Sequence, residues 1–361
     1  MAEILQSYRP AACHSRQRAG GLNATPGASQ CPSRQRAGGL SLGQLLRSYS
    51  QLVKPKIIAL LLVTTAGAMW MAGNTDPFKF GVTLLGGGMA AAAANVLNMV
   101  YDADIDRLME RTCHRPLPAG RIQARHALVF AGILTLVSFS LLAYFTNLLA
   151  AGLAMAGILV YVGVYTHWLK RSSPQNIVIG GAAGAIPPLV GWAAATGKLS
   201  WAAWVMFAII FLWTPPHFWA LAILKREDYA RASVPMLPVV AGEGPTAAQI
   251  LLYALLVVPV SLLLVYPLHV LGSLYLSAAV LLGSLLVWKA MQLLRRPQDR
   301  ERAASLFTFA NLYLLLLCGA MGLDRWSLTH ALWEQALASL QGIYAPLVAL
   351  AGQLVEGGSL G

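Results

Sequence analysis

The feature that most limits the fold of this chain is a series of nine apolar runs, each long enough to cross a lipid bilayer. A spanning helix needs about 20 mostly apolar residues, and only 11% of the 361 residues are charged, against about 25% in soluble domains. Since lipid offers the backbone no hydrogen-bond partner, each run is expected to be an α-helix. We predict an all-α polytopic bundle of nine transmembrane helices at residues 57–74, 79–101, 127–146, 148–166, 176–196, 201–223, 248–268, 271–290 and 304–323.

Lysine and arginine residues are distributed unevenly between the loops that join these runs. If the N-terminus is cytoplasmic, fourteen of them fall on the cytoplasmic side and three on the other, as the positive-inside rule requires. This distribution explains the net charge of +12 without a nucleic-acid partner. The expected surroundings are a lipid bilayer. No mitochondrial transit peptide of the usual form is visible, so we expect a multi-pass protein of a bacterial inner (cytoplasmic) membrane.

Composition divides the chain into three regions. Residues 1–41 contain a decamer, CHSRQRAGGL, that returns as CPSRQRAGGL, and this segment is too polar to bury a core, so a disordered basic tail is expected. Residues 42–323 form the expected membrane domain, which opens with an amphipathic surface helix at 42–53. In residues 324–361 the apolar stretch is interrupted by polar residues and a proline, which favours an interfacial or loosely packed helix over a tenth span.

Two pairs of prolines fall in the middle of apolar runs. Pro187 and Pro188 lie in the fifth run, and Pro215 and Pro216 lie in the sixth. Proline removes a helical hydrogen bond, so both runs are expected to break in the membrane, which is tolerated only beside protein or a cavity. We therefore expect the helices to surround a central cavity.

An acidic segment follows the second run. Asn98, Asp102 and Asp106 are four residues apart, and at about 100° per residue they form one stripe along a helix, whereas Asp104 faces another direction and is expected to serve the adjoining loop. Three oxygen ligands in a stripe suit Mg²⁺, which binds one or two carboxylates together with substrate phosphates. The alternative is a solvated helix end whose acids balance nearby arginines. Charges at the edge of a membrane are costly, which favours the metal site.

Basic side chains on the same side of the membrane complete a candidate diphosphate site. Arginine binds phosphate oxygens in a bidentate manner, although the positive-inside rule alone also places arginine here. The first group of candidate substrate-binding residues consists of Arg107, Arg111, Arg115 and Arg121. The loop after the fourth run adds Tyr165, Lys170 and Arg171, of which Lys170 is also a candidate catalytic residue.

A second acidic region follows the sixth run, on the same side of the membrane. Asp228 is its candidate metal ligand and catalytic residue, with Lys225 and Arg226 as candidate diphosphate ligands. His217 lies within the sixth run between Pro216 and Phe218, and a histidine there can bind a metal, act as a base or simply pack. We treat it as a candidate catalytic residue. Aromatic side chains nearby can stabilise a cation through their ring faces, although packing is their commoner role.

These features resemble the UbiA-type intramembrane prenyltransferases. The resemblance rests on Asn98-x-x-x-Asp102-x-x-x-Asp106, the nine runs and the second acidic loop. Longer blocks, RTCHRPLPAGRI, YTHWLKRSSPQNIVIGGAAGAIPPLVGWAAATG, WTPPHFWALAI and DYARASVPMLPV, resemble the branch of that superfamily that farnesylates protohaem IX, the haem O synthases. The similar region extends from residue 45 to residue 323 and leaves out the decamer repeat and the C-terminal tail.

The resemblance implies a function and a set of roles. It implies that a farnesyl group passes from farnesyl diphosphate to the 2-vinyl group of haem B, with addition of water, giving haem O and diphosphate. It also implies Mg²⁺ as cofactor and a haem A synthase as a candidate partner that uses the product. Asn98, Asp102 and Asp106 match the first motif of the family. Asp228 matches the second motif only in part, because Leu224 stands where the wider superfamily carries another aspartate.

Two other functions remain open on the residues alone. The first is a prenyltransferase of the same superfamily that acts on an aromatic or quinone precursor, and the haem-branch blocks PPHFW and VPMLP argue against it. The second is an ion-coupled transporter, in which acids bind an ion at a broken helix. Both acidic clusters lie toward the inner face, with no acid at the midplane, which disfavours alternating access.

Overall fold

A computed structural model describes residues 41–73, 76–110 and 112–325 of the chain, and every regular element in these ranges is helical. The expectations for residues 1–40 and 326–361, and for Arg111, concern parts of the chain outside these ranges. A 3₁₀ turn occupies Ile105–Arg107, and a π-helix occupies Val160–Leu169. The α-helices are α1 Leu42–Val53, α2 Pro55–Met71, α3 Pro77–Tyr101, α4 Ala124–Phe145, α5 Leu148–Leu159, α6 Asn176–Thr196, α7 Trp201–Leu224, α8 Arg226–Arg231, α9 Leu237–Val240, α10 Glu243–Leu262, α11 Ser273–Arg295 and α12 Arg300–Asp324.

Short polar side chains set the starts of several helices. At α1 the Ser41 hydroxyl accepts a hydrogen bond from the Gln44 amide, and the Gln44 side chain accepts one from the Ser41 amide. This reciprocal pair is a capping box. Proline occupies the first position of α2 and of α3, where its missing N–H costs nothing. Side-chain caps at α3, α5, α7 and α12 come from Asp76, Asn147, Ser200 and Asp299.

The membrane-spanning architecture agrees with the prediction. Within the described ranges, eight helices are long and apolar enough to cross a bilayer, counting α5 with its π-helical continuation as one. A ninth span results if α1 and α2, which meet at a bend of 47°, are taken together. The all-helical polytopic fold is therefore confirmed.

The helices α6 and α7 form the centre of the bundle. In their most apolar stretches 61% of the residues are buried, against 17% in α4, whose outer face is left for lipid. Helix α6 packs on α2, α3, α5 and α7, and α7 packs on α10 and α12. At Gly191 an added Cβ would lie 2.4 Å from the carbonyl oxygen of Thr65, so the absence of a side chain lets α6 and α2 touch.

The proline pairs do not break these two helices, and that prediction was wrong. Pro187 and Pro188 lie inside a continuous α6, and Pro215 and Pro216 lie inside a continuous α7. The physical reason is the position of α6 and α7, because neighbouring helices on several sides hold a strained helix together in lipid. Proline content alone carries no information about those neighbours.

Candidate functional site

The stripe of Asn98, Asp102 and Asp106 lies where α3 ends. The prediction placed all three residues on one unbroken helix, and the structure does not. Helix α3 ends at Tyr101, and Asp102 is its C-cap. The helical hydrogen-bond pattern nevertheless continues, because the Asp102 amide donates to the Asn98 carbonyl at 2.9 Å and the Asp106 amide donates to the Asp102 carbonyl at 2.8 Å. The three side chains therefore keep the expected spacing.

All three side chains of the stripe are buried. Asn98, Asp102 and Asp106 are 3%, 0% and 2% exposed. Buried carboxylates are tolerated only when they are paired and hydrogen-bonded. Lys170 Nζ lies 2.5 Å from Asp102 Oδ2, and Arg115 Nη1 lies 2.6 Å from Asp106 Oδ2. The two carboxylates are therefore shielded from solvent, and each is paired with a basic side chain.

The orientation of the Asn98 amide follows from its neighbours. Its Nδ2 donates to Asp102 Oδ2 at 2.8 Å and to Thr166 Oγ1 at 3.0 Å. Its Oδ1 accepts a hydrogen bond from Lys54 Nζ at 3.2 Å. The amide oxygen thus faces the cations of the site, and the amide nitrogen faces the acceptors.

The stripe fits a hard divalent cation. Asp102 Oδ1 is buried and has no hydrogen-bond partner, and a buried unpaired carboxylate oxygen is costly unless a ligand satisfies it. No cluster of three His, Cys, Asp or Glu side chains suited to a metal occurs within residues 41–73, 76–110 and 112–325. The set here is two carboxylates and an amide, which suits Mg²⁺ because that ion also takes waters and phosphate oxygens.

The π-helix at Val160–Leu169 brings the second half of the site to the stripe. The wider turn is visible where the Lys170 amide donates to the Tyr165 carbonyl and the Thr166 hydroxyl donates to the Tyr161 carbonyl. π-helical segments often occur at functional sites. Here the segment carries Thr166 to Asn98 and leads directly to Lys170, which reaches Asp102. Tyr165 lies on the same segment, stacked on Tyr161 with ring centroids 5.6 Å apart.

An ion pair between Arg171 and Asp104 links the segment after the π-helix to the segment after α3, on the exposed side of the site. Arg171 donates to both carboxylate oxygens of Asp104 at 2.7 Å and to the Tyr101 carbonyl at 3.0 Å. Burial raises the pKa of the Asp104 carboxyl, but hydrogen bonds from Arg171 and from the backbone more than offset this and hold the pKa below its ordinary value. As expected, Asp104 lies apart from the stripe. Arg171 is engaged with Asp104 at the rim of the site.

The arginines after α3 have different surroundings. Arg115 contacts the stripe, whereas Arg121 Nη2 donates to Gln51 Oε1 on α1 at 3.0 Å and to the His114 carbonyl at 2.6 Å. Arg121 therefore holds the loop against α1. Arg107 is exposed. Of the four arginines expected to bind substrate, the structure brings Arg115 to the carboxylates.

The second acidic region is a short helix directly after α7. Asp228 lies in the first turn of α8, is 6% exposed and pairs with Arg231 at 2.5 Å. Lys225 is exposed. Arg226 lies 4.0 Å from Glu243, a carboxylate at the start of α10. This region therefore holds one buried carboxylate, with cations around it.

His217 lies inside α7 in an aromatic stack. Its ring lies between Trp213, at a centroid distance of 4.6 Å, and Phe307 on α12, at 4.7 Å. The Trp213 indole N–H donates to the Ala310 carbonyl, which fixes the first of these rings. His217 Nδ1 is buried without a hydrogen-bond partner. The imidazole is held by its faces and presents an unsatisfied nitrogen.

Two residues of the site were missed at the level of sequence, Lys54 and Thr166. Lys54 stands before Pro55 at the start of the first run, where the positive-inside rule alone also accounts for a lysine. Its contact with Asn98 spans 44 residues of sequence and depends on the bend between α1 and α2. Thr166 lies in a π-helix, and the helical period of 3.6 places its side chain incorrectly.

Comparison with known sequences matches this chain to one family and to its curated members. The UbiA prenyltransferase family profile matches residues 60–315. A protein named protoheme IX farnesyltransferase from Synechococcus sp. (strain JA-3-3Ab) is 88% identical over 89% of this chain and 97% of its own length. A protein with the same name from Cyanothece sp. (strain PCC 7425 / ATCC 29141) is 58% identical over 85% of this chain and 96% of its own length.

Solved structures share the fold at low sequence identity. An apo UbiA homologue from Aeropyrum pernix K1 is 18% identical, with a TM-score of 0.61 over 75% of this chain and 98% of that chain. A UbiA homologue from Archaeoglobus fulgidus, bound to DMAPP and Mg²⁺, is 15% identical, with a TM-score of 0.52 over 76% of this chain and 99% of that chain. The family profile covers most of the helical bundle, including the buried stripe of Asn98, Asp102 and Asp106. The chain therefore belongs to the UbiA prenyltransferase family.

Proposed function

We propose that this chain transfers the farnesyl group of farnesyl diphosphate to a vinyl group of protohaem IX, with addition of water, giving haem O and diphosphate. The observation that carries this proposal is the 88% identity, over nearly the whole length of the relative, to a protein named protoheme IX farnesyltransferase. The buried stripe supports the donor half of the reaction. The A. fulgidus homologue of the same fold binds DMAPP and Mg²⁺.

The donor site in this proposal is built from the stripe and its cations. Asn98, Asp102 and Asp106 would hold Mg²⁺, and Asp228 would be a further ligand from the second acidic region. The ion, when bound, neutralises charge that develops on the leaving diphosphate. Lys170 and Arg115 bind diphosphate oxygens from positions where they already face Asp102 and Asp106. Tyr165, Lys225 and Arg226 are additional candidate ligands of the diphosphate at the rim.

The chemical step needs cations that stabilise the leaving diphosphate and apolar surroundings for the carbocation. The C–O bond of the donor breaks as positive charge develops on the allylic carbon, and fixed cations stabilise the departing diphosphate. The terminal vinyl carbon of the acceptor then bonds to that allylic carbon. Water adds to the cation left beside the porphyrin, and one proton is released. The apolar helices around the site exclude other water.

His217 is proposed to act at the acceptor side of this reaction. Its ring is held between Trp213 and Phe307, and its Nδ1 has no protein partner. A neutral imidazole in that position can take the proton released when water adds. The stacked aromatic rings also offer π-faces to a nearby cation.

The proposed setting is a bacterial inner membrane, with the active site toward the cytoplasm. The charge distribution between loops supports this orientation, and the relatives come from cyanobacteria. The proposed membrane domain is residues 42–323, and the expectations for the basic tail at 1–41 and for an interfacial or loosely packed helix at 324–361 concern residues almost wholly outside the described ranges. Haem O, as the product, is passed to an enzyme such as haem A synthase or to an oxidase.

The acceptor is tested by offering two of them to one preparation. Protein in lipid nanodiscs with Mg²⁺ and farnesyl diphosphate is given either haem B or 4-hydroxybenzoate, in water enriched in ¹⁸O. We expect farnesylated haem that contains one ¹⁸O atom, and no prenylated benzoate. A prenylated benzoate with unchanged haem would instead identify a prenyltransferase of aromatic precursors. Farnesylated haem without ¹⁸O would contradict the water-addition step.

A further inference from the structure

Lys54 reaches the candidate donor site from an unusual backbone position. It lies between α1 and α2 with φ 56° and ψ 63°, the left-handed region, which is uncommon for a residue with a side chain. Such conformations persist where the surroundings hold them, and they are frequent at binding sites. Pro55 begins α2 directly after it, and the Asn95 side chain on α3 donates to the Val53 carbonyl at 3.0 Å. The junction is therefore fixed against α3.

The partner of Lys54 is a neutral group in a site full of charges. Its Nζ donates to Asn98 Oδ1 at 3.2 Å, whereas Lys170 and Arg115 each face a carboxylate. The charges of Asp102, Asp106, Lys170 and Arg115 all act on Lys54. Of the three basic side chains around the two carboxylates, Lys54 is the one without an ionic partner of its own among these groups. An anionic ligand beside it would supply that partner and favour its charged form.

The oxygen that Lys54 holds is the one that a metal ion at the stripe needs. The Asn98 amide nitrogen is committed to Asp102 and Thr166, so Oδ1 is the face of the amide that is directed at cations. An ammonium group and a divalent ion bonded to one oxygen repel each other strongly in a buried site. Lys54 and the ion therefore compete for Asn98.

We propose that Lys54 is a diphosphate-binding residue that exchanges partners during binding. It leaves the Asn98 oxygen when Mg²⁺ binds the stripe, and its ammonium group then binds an oxygen of the prenyl diphosphate. This inference rests on the proposed donor site and adds to it a residue and an order of contacts. It has a distinctive consequence, because removal of the Lys54 charge affects the two ligands in opposite directions.

The test measures the two affinities separately in purified protein. Mn²⁺ binding without any diphosphate is followed by electron paramagnetic resonance, with Mn²⁺ as the probe for Mg²⁺. Binding of farnesyl S-thiolodiphosphate, an unreactive donor analogue, is measured by calorimetry at saturating Mg²⁺. The variants are Lys54→Met, which keeps the side-chain length, and Lys56→Met, a matched control at an exposed lysine two residues away. Lys54→Gln serves the same purpose if Lys54→Met does not fold.

For Lys54→Met we expect Mn²⁺ to bind more tightly, by about threefold or more, because a competing cation is gone. We expect the analogue to bind about tenfold more weakly, the usual effect of losing a charged hydrogen bond. Lys56→Met should match the wild type in both. If Lys54→Met weakened both ligands or changed neither, Lys54 would not exchange partners. If wild-type protein bound neither probe, the proposed function itself would be wrong.

Discussion

Asp102 and Asp104 carry the same side chain two positions apart and have opposite surroundings. Asp102 is fully buried against Lys170 and Asn98, whereas the Asp104 side chain is 63% exposed and pairs with Arg171 at the rim. A charge pair at an exposed position contributes about 0–1 kcal/mol, but a buried carboxylate persists only if its surroundings or a ligand compensate it. This contrast separates a candidate binding residue from a surface residue of identical chemistry.

A comparison of variants at Arg115 and at Arg107 distinguishes an arginine that binds phosphate from one that is present because of membrane topology. Arg115→Gln leaves Asp106 buried without its cation, so we expect loss of activity of about 100-fold and lower thermal stability. Arg107→Gln changes an exposed residue, and we expect activity within about twofold of the wild type, as is usual for surface substitutions. Initial rates of haem farnesylation and melting temperatures check both. Equal losses in the two variants would argue that Arg115 serves topology alone.

Thr166 sets the direction of the Asn98 amide, and its effect should appear in the metal dependence. Thr166→Val keeps the shape but removes the hydroxyl that accepts from Asn98 and donates to the Tyr161 carbonyl. We expect the Mg²⁺ concentration for half-maximal rate to rise about tenfold, since an unsatisfied buried group costs about 1–3 kcal/mol. Thr166→Ser restores the hydroxyl and should restore the wild-type value. An unchanged Mg²⁺ dependence in Thr166→Val would contradict this role.

At the scale of the helices, α6 and α2 approach each other closely at Gly191. Gly191→Ala places a methyl group against the Thr65 backbone, which cannot give way as a flexible side chain would. We expect a loss of stability of about 1–3 kcal/mol, as for other overpacked cores. The control is Gly184→Ala on the same helix, where an added Cβ meets no atom within 4 Å.

The control should be neutral or slightly stabilising, because alanine is the better helix former. Thermal unfolding in detergent, read by circular dichroism, compares the two variants with the wild type. A Gly191→Ala protein as stable as Gly184→Ala would show that the backbones of α6 and α2 can separate without cost.

The number and order of the apolar helices were predictable from the sequence, and breaks within helices were not. The apolar runs at 176–196 and 201–223 agree with α6 and α7 to within a residue, because hydrocarbon thickness dictates their length. The prolines inside them were misread because the outcome depends on neighbouring helices. The π-helix at Val160–Leu169 was missed for a similar reason, since an α-helical period was assumed throughout.

At the scale of the whole molecule, the site joins distant parts of the sequence. Asn98 and Asp102 come from the end of α3, Thr166 and Lys170 from the π-helix and its end, and Lys54 from the α1–α2 junction. The stripe itself was predictable, because four-residue spacing is a local property. Lys170 and Arg115 were predicted as candidate site residues, whereas Lys54 was missed. The carboxylate or amide that each of these side chains contacts was not predictable, because it depends on how the helices pack.

The central claim is that the buried stripe, and not acidity in general, supports farnesyl transfer to haem. The most direct measurement is the Mg²⁺-dependent rate of haem B farnesylation, followed by mass spectrometry, for wild type, Asp102→Asn and Asp104→Asn in one membrane preparation. We expect Asp104→Asn to stay within about twofold of the wild type and Asp102→Asn to lose about 100-fold or more. Near-full activity in Asp102→Asn, or equal losses in both variants, would contradict the claim.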